Sequence, residues 1–420
     1  MESFRLTQLE IHGVGPFGDL TLDFQEKPAG MEGKAEIHIL TGENGTGKTT
    51  ILEMLASFVG ERLGVSNVIS RLRNDHGSFV VKSKDKSWNF IPTHFSKNDL
   101  TGLGEEYLSA YLNNQPFTVA YFVYSGFRNI NSTKFHNIKE LTTHPFKKSL
   151  SFQDPVNEDN LFSWIANTIS KEAIEKSQNN LDRAQQYRES LSRIESAIES
   201  IINKPVRFVL ETEVLQVAIE LEGQRLGFDM LPDGLKSIIS WIADLLMRMD
   251  RVKWVDHTPV LERPFILFLD EIEVHLHPAW QRKILPAVQN LFPNAQIFIS
   301  THSPFVVGSV DGAWIYKFEK PNGDSKLAPG YPKPSEDAHS YRYWLEEVFG
   351  IKEAFGQQVS TDMDGFYALR GRMLSGENGT TTEDFLQSGR QLAQQSIELN
   401  QIIEMEIRQL NRKLGLNLQL

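Results

Sequence analysis

The 420-residue chain contains no cysteine, so neither a disulfide nor a thiolate metal centre is open to it. No apolar run approaches the length that spans a bilayer, and the N-terminus lacks a secretory pattern. The expectation is therefore a cytoplasmic protein with no membrane contact. Positive charge is outnumbered, 43 Lys and Arg against 54 Asp and Glu. A net charge of −11 argues against a uniformly basic nucleic-acid surface, while leaving room for a local basic groove. Fixed-period repeats and low-complexity tracts are missing too. What is present is an ordinary globular composition, 40% hydrophobic and 23% charged, in a chain long enough for two lobes or domains.

The most informative stretch is Gly42-Glu43-Asn44-Gly45-Thr46-Gly47-Lys48-Thr49-Thr50, which fits G-x-x-x-x-G-K-[ST]. An apolar strand-like run, Ile37 to Leu40, precedes it, and a helical pattern, Ile51 to Ala56, follows. In that context the glycines let backbone N–H groups curl around phosphate oxygens, and the helix N-terminus adds partial positive charge. Lys48 can reach β- and γ-phosphates, and Thr49 can ligate Mg²⁺. The bland alternative is a glycine-rich turn before a helix.

Along the chain, Phe4–Ile11 and Leu20–Phe24 alternate as a β-hairpin would. Ser78–Val81 and Ser87–Ile91 suggest a second, short hairpin, followed by a helix near Gly104–Asn113 and a buried strand at Phe117–Tyr124. From Asn157 to Asn203 the spacing is helical without Gly or Pro, giving two or more long helices with solvated faces. Val206–Leu210 and Val214–Ile219 read as strands before a Gly- and Asp-containing turn, and an apolar helix starts near Gly234. Phe265–Leu269, a helix over Ala279–Leu291 and Gln296–Ser300 form a βαβ unit, hence a parallel sheet. A further strand covers Ala313–Phe318, Pro321–Pro334 reads as a linker or surface loop, and Ser340–Leu420 is mostly helical, with Thr382 or a neighbour as an N-cap.

Three further segments join the phosphate loop. Asp270, ending a buried strand, can hold the Mg²⁺ shell, and Glu271 can orient and deprotonate a water. His302, after the next strand, can reach toward a γ-phosphate. Leu231-Pro232-Asp233-Gly234-Leu235-Lys236-Ser237 opens the apolar helix. Singly, an Asp-Glu pair after a strand is ordinary helix-start chemistry and a strand-end His is usually structural; together, in this order, they are not.

With these residues the chain resembles the ABC-type ATPases of the RecF, SMC and OLD group, in particular stand-alone bacterial AAA-family ATPases with the pattern Asp270-Glu271-Ile272-Glu273-Val274-His275-Leu276-His277-Pro278. The resemblance covers residues 3–318. It implies an α/β fold, an ABC-type P-loop NTPase with a mixed-sheet core, a helical insert lobe and a helical C-terminal tail. On it, residues 1–330 form the ATPase domain, with the insert at about 140–204, and 331–420 form an interaction module. It also implies ATP and Mg²⁺ as cofactors, Asp270 as the Walker B aspartate, Glu271 as catalytic base and His302 as switch histidine. Leu231, Asp233, Gly234, Lys236 and Ser237 then correspond to the signature that binds the γ-phosphate held by a second copy, which makes the protein a head-to-tail homo-oligomer. Such ATPases are paired with a nuclease in anti-phage systems such as Septu, PARIS and some retrons, and the pattern best fits the Septu ATPase subunit.

Pro232 departs from the family's serine and offers neither hydroxyl nor N–H to a phosphate, so binding and dimerisation are expected more firmly than fast hydrolysis. A slow nucleotide-binding scaffold and an ABC transporter subunit are the alternatives. The separation of phosphate loop and signature exceeds that of transporters. Gln115 precedes the 117–124 strand, and Tyr124 and Arg128 lie at or after its end; none is assigned to the metal. His275 and His277 fit dimer-contact or structural roles better than zinc, and Asp362-Met363-Asp364 fits a solvated helix start better than a nuclease pair. Arg71 with Arg73, Lys147 with Lys148, and Arg408 with Arg412 and Lys413 are the candidates for DNA contact, although isolated pairs are usually solvated surface.

Overall fold

The structure is a computed structural model. It describes residues 4–57, 68, 70–73, 77–84, 86–90, 113, 115–126, 138, 140–154, 156–321, 323–336, 339–351, 355–375 and 382–420. The helix expected near Gly104–Asn113, apart from Asn113 itself, the end of the expected second hairpin at Ile91 and the candidate Arg128 lie outside them. Two compact units divide the chain, 1–349 and 350–420.

In the first unit β1 (Leu6–Val14) and β2 (Phe17–Asp23) form the expected antiparallel hairpin. β3 (Glu36–Gly42) leads into the phosphate loop and α1 (Lys48–Ser57). β4 (Ser78–Ser83) and β5 (Ser87–Phe90) extend the hairpin into a four-stranded sheet of order β2-β1-β4-β5. β6 (Ala120–Tyr124) follows, and then α2 (Glu158–Ser177) and α3 (Leu181–Ile202), two long helices as the spacing required. The Asn157 side chain accepts the Asn160 N–H at the start of α2, and Asn203 closes α3 in the left-handed conformation at φ 59°.

β7 (Val206–Glu211), β8 (Gln216–Leu221) and β9 (Gln224–Gly227) make a three-stranded antiparallel sheet where two strands and a turn were expected. The turn into β9 is Glu222–Gly223, both at positive φ (52° and 78°), the backbone of a tight two-residue hairpin. α4 (Asp233–Arg251) is the apolar helix. β10 (Phe265–Leu269), α5 (Pro278–Leu291) and β11 (Ala295–Ser300) are the βαβ unit, with β10 and β11 parallel. A short helix, α6 (Pro304–Val307), precedes β12 (Trp314–Glu319). The stretch read as a linker instead contributes β13 (Lys326–Leu327) and β14 (Lys333–Pro334), both antiparallel to β12. Two-residue strands are too short to show a period. α7 (Tyr341–Glu347) ends this unit.

The central sheet runs β13-β12-β3-β11-β10-β6, and β12, β3, β11, β10 and β6 are mutually parallel. Alternation along each strand sends side chains to both faces. Phe265, Leu267 and Leu269 join Ile238, Trp241 and Leu245 of α4 in one core, while Ile266 and Phe268 join Leu52, Met54 and Leu55 of α1 and the β1–β2 hairpin in another. Burial on both faces is why the strands read as unbroken apolar runs. Polar contacts fasten the hairpin sheet to the central one. Arg5 Nε meets both Glu36 oxygens at 2.9 and 2.8 Å, Arg5 also donates to the Phe24 carbonyl at 2.6 Å, and Gln296 Nε2 donates to Glu36 at 2.7 Å and to Leu6 O at 2.9 Å.

The second unit packs α8 (Gln357–Ser375), α9 (Thr382–Ala393) and α10 (Ile397–Leu414) around Phe366, Phe385, Leu392, Ile403 and Leu410. Thr382 is the first residue of α9, and Ser396 caps α10 by accepting the Leu399 N–H at 3.1 Å. Asp362 and Asp364 lie inside α8 and not at its start, and Asp362 accepts from Gln358 at 3.0 Å.

Candidate functional site

The register brings the C-terminal ends of four strands level, pairing Leu269 with both Tyr124 and Ile299, and Ser300 with Leu40. Because β11 lies between β3 and β10, the groups that leave it sit between the phosphate loop and the acidic pair. Ligands of open parallel sheets bind at this edge. A cleft of about 570 Å³ occupies it, lined by Gly45, Gly47, Lys48 and Thr49 from the loop, by Asp270 and Glu271, and by Ser300 and His302. Three of the four chemical segments picked out in the sequence thus share one cavity.

The loop has the shape phosphate binding needs. Gly45 and Gly47 take φ 80° and 95°, in the left-handed region, and a Cβ on Gly47 would stand 2.5 Å from the Phe17 ring and from Pro16. Lys48 is buried and donates to the carbonyls of Gly42 and Glu43, both at 3.0 Å. Burial lowers its pKa, while Asp270, Glu271 and Glu273 oppose the shift and favour the cation. Thr49 Oγ1 lies 3.2 and 3.0 Å from the two Asp270 oxygens. A hydroxyl and a carboxylate so placed are hard oxygen donors that fit a Mg²⁺ bridging to phosphates.

Ser300 fastens the acidic pair. Its hydroxyl donates to Asp270 and accepts the Glu271 N–H at 2.8 Å. Glu271 itself sits at φ 46°, unusual for a residue with a Cβ, and its side chain is exposed; a Cβ on Gly126 would come within 2.9 Å of Glu271 Oε2. His302 is half-buried; burial first, then the Lys48 charge, lowers its pKa, and Asp270 opposes them. The imidazole therefore favours its neutral form.

The fourth segment is placed differently. Leu231, Gly234, Lys236 and Ser237 are buried, while Pro232 and Asp233 are exposed at the start of α4. Pro232 is the N-cap, with no side-chain hydrogen bond, and a Cβ on Gly234 would stand 2.5 Å from the His275 carbonyl. His277 caps α5 through Nδ1, which accepts the Ala279 N–H at 3.2 Å. Tyr124 is buried and donates to Asp244 at 2.8 Å, and Gln115 is exposed.

Sequence reasoning paired Arg71 with Arg73 as a candidate for DNA contact and did not place it in the cleft. Arg71 lines the cleft and reaches Thr50 Oγ1 at 2.6 Å and Glu53 at 2.9 Å, while Arg73 is tied to Gly15 O and Asp324. Glu53, whose carboxyl burial raises to about 7 against the Arg71 charge, was missed with it. No local pattern could have shown either. Ser300 did carry a signal, a polar residue closing a wholly apolar strand.

A parallel sheet in this order, with a phosphate loop after β3, an acidic pair after β10 and a histidine after β11, defines an ABC-type P-loop ATPase domain. The family "AAA domain, putative AbiEii toxin, Type IV TA system" matches residues 132–308, and a second AAA-domain family matches 4–59. The chain is 25% identical over 308 residues to Septu protein PtuA of Bacillus thuringiensis, covering 72% of each. It is 23% identical over 386 residues to the "Retron Vc95 probable ATPase" of Vibrio cholerae, covering 74% of this chain and 73% of that one. A solved SMC head bound to the C-winged helix domain of ScpA aligns at TM-score 0.45 and 11% identity, over 77% of this chain and 96% of that chain. In the matched segments the chain is similar to AAA-domain proteins, in keeping with the P-loop fold described above. Among the described residues no helix is long and apolar enough to cross a membrane.

Proposed function

We propose that the protein binds ATP with Mg²⁺ in the 42–50 loop, hydrolyses it slowly, and uses nucleotide to clasp a second copy head to tail. The observation that carries the reading is the meeting of Lys48, Thr49, Asp270, Glu271 and His302 at one cleft. Lys48 and the loop amides hold the phosphates, Thr49 and Asp270 hold the metal, Glu271 takes the proton of the attacking water, and His302 faces the γ-phosphate. The start of α4 supports the clasp. A helix's first N–H groups have no intrahelical partners and attract anions, and the exposed Asp233 and Pro232 leave that end accessible. The kinship with Septu and retron proteins supports a role in anti-phage defence, with a separate nuclease as the controlled partner.

The full chain is tested for ATP–Mg²⁺ binding, for turnover, and for mass by light scattering with and without nucleotide. Lys48→Ala should abolish binding, and Glu271→Gln should bind, trap the dimer and stop turnover. Equal ATP binding by wild type and Lys48→Ala would sink the reading. Pro232 favours a second one, a scaffold that binds without turning over, since the N-cap brings no side-chain donor to the phosphate. That version expects no turnover even with a partner present, and any rate that Glu271→Gln removes excludes it.

A further inference from the structure

The loops after β10 and β11 are braced to each other twice. The first brace is Ser300, described above, together with the Ile272 N–H on the Ser300 carbonyl at 3.4 Å. The second is Glu273. Its Oε1 accepts the His302 N–H at 2.5 Å, the Thr301 hydroxyl and the residue's own N–H lie close to the carboxylate, and Oε2 is buried without a hydrogen bond of ordinary geometry. A buried carboxylate oxygen left unpaired is costly, so an ordinary packing role would be better served by an apolar side chain. On either side of Glu273 the backbone is at positive φ, 46° at Glu271 and 64° at His275. Residues with a Cβ stay in that region only where their surroundings over-determine them. The Val274 N–H on the Glu271 carbonyl at 3.1 Å and the Leu276 N–H on the Glu273 carbonyl at 2.9 Å complete the tight loop.

We infer that Glu273 is a positioning residue: it fixes the main chain of His302, and through it the imidazole, relative to Asp270 and Glu271. The water-activating and γ-phosphate-facing sides of the cleft are then set as one piece. A protonated carboxyl or an amide still offers a carbonyl oxygen to the His302 N–H, so the brace survives loss of charge but not loss of the acceptor. The inference rests on the nucleotide reading for its effect on turnover. The brace itself is made by the chain's own atoms.

The test uses the full chain with Glu273→Gln, Glu273→Ala, Glu273→Met, His302→Ala and the Glu273→Ala/His302→Ala double variant. Hydrogen exchange in the 300–303 segment, without nucleotide, should quicken by about tenfold or more in Ala and Met and stay within about threefold in Gln. Affinity for a fluorescent ATP analogue with Mg²⁺ should move by less than about threefold, whereas turnover falls about tenfold in Ala and Met and is retained in Gln. The double variant should be no slower than His302→Ala, because two residues acting through one element are not additive. Unchanged exchange in Ala and Met, Gln as impaired as Ala, or multiplying effects in the double variant would each overturn the inference. If Ala does not fold, Met against Gln gives the same comparison. If the wild type fails to bind the analogue, the nucleotide reading fails while the exchange data still decide the brace.

Discussion

Replacing Glu36 by Gln offers the sharpest test of how the two sheets are joined. Burial alone would raise this carboxyl, but the hydrogen bond and charge of His38, followed by those of Arg5, outweigh it and hold the pKa down to about 2 from 4.5. At 1.36 kcal/mol per pKa unit, that depression is worth about 3 kcal/mol of stability. Since the folded pKa is the lower one, the contribution is fully present above about pH 4.5 and disappears as pH falls toward 2. The neighbouring His38 is fully buried with its pKa lowered, first by burial, so the fold also loses stability as pH falls below the ordinary imidazole value of 6.5. That loss begins at higher pH and is larger in Glu36→Gln, because Glu36 is what opposes the lowering of the His38 pKa, so the Glu36 contribution is read from the change in the gap below pH 4.5. All seven tryptophans precede residue 350, so tryptophan fluorescence during urea denaturation reports on the 1–349 unit alone. Glu36→Gln should be destabilised at pH 7 by at most about 3 kcal/mol, since the neutral His38 contributes its hydrogen bond and not its charge there, and the gap to wild type should narrow below pH 4.5. A gap that stays constant from pH 7 to pH 3 would refute the assignment of the stabilisation to an ionised Glu36.

Three other substitutions probe the site and its supports. Gly47→Ala puts a Cβ against Phe17 and Pro16 at φ 95°, and should cost about 1–3 kcal/mol and the affinity for ATP together, read by denaturation and by titration. Gly308→Ala places a Cβ 2.4 Å from Cδ1 of the buried Trp344; a melting temperature lowered by several degrees, from about 1–3 kcal/mol of overpacking, is the expected result. Thr49→Ala should leave nucleotide binding in EDTA unchanged while removing at least about tenfold of the gain that Mg²⁺ confers, as measured by paired titrations.

Much of this was legible in the chain because it is local. The phosphate loop carries its own context, and strands buried on both faces announce themselves as unbroken apolar runs such as Phe265–Leu269. Asp270, Glu271 and His302 could be placed because each directly follows such a strand. What escaped depends on contacts distant in sequence. Arg71 enters the cleft only because its segment pairs back onto the 13–15 turn, with the Gly15 N–H on the Arg71 carbonyl at 2.7 Å. Glu273 looked like one more residue of a family pattern until its carboxylate was seen on the His302 amide. β9 was hidden because Glu222–Gly223 makes its tight turn without the usual Asn or Asp, and its four residues show no alternation. β13 and β14 are strands only by virtue of the edge they cover.

The missing side chain at Gly234 has a mechanical meaning. The start of α4 rests on the His275 carbonyl, in the same loop that carries Glu271 four residues earlier. Within one chain, the start of α4, the proposed clasping surface, and the loop that carries Glu271 are therefore adjoining walls. A push on the first reaches the second in a single van der Waals step, without crossing the sheet. If two copies clasp nucleotide between them, filling one pocket presses directly on the wall of the other. By linkage the influence must run equally in both directions, so the pair would respond as a single counter of occupied sites, not as two separate clocks.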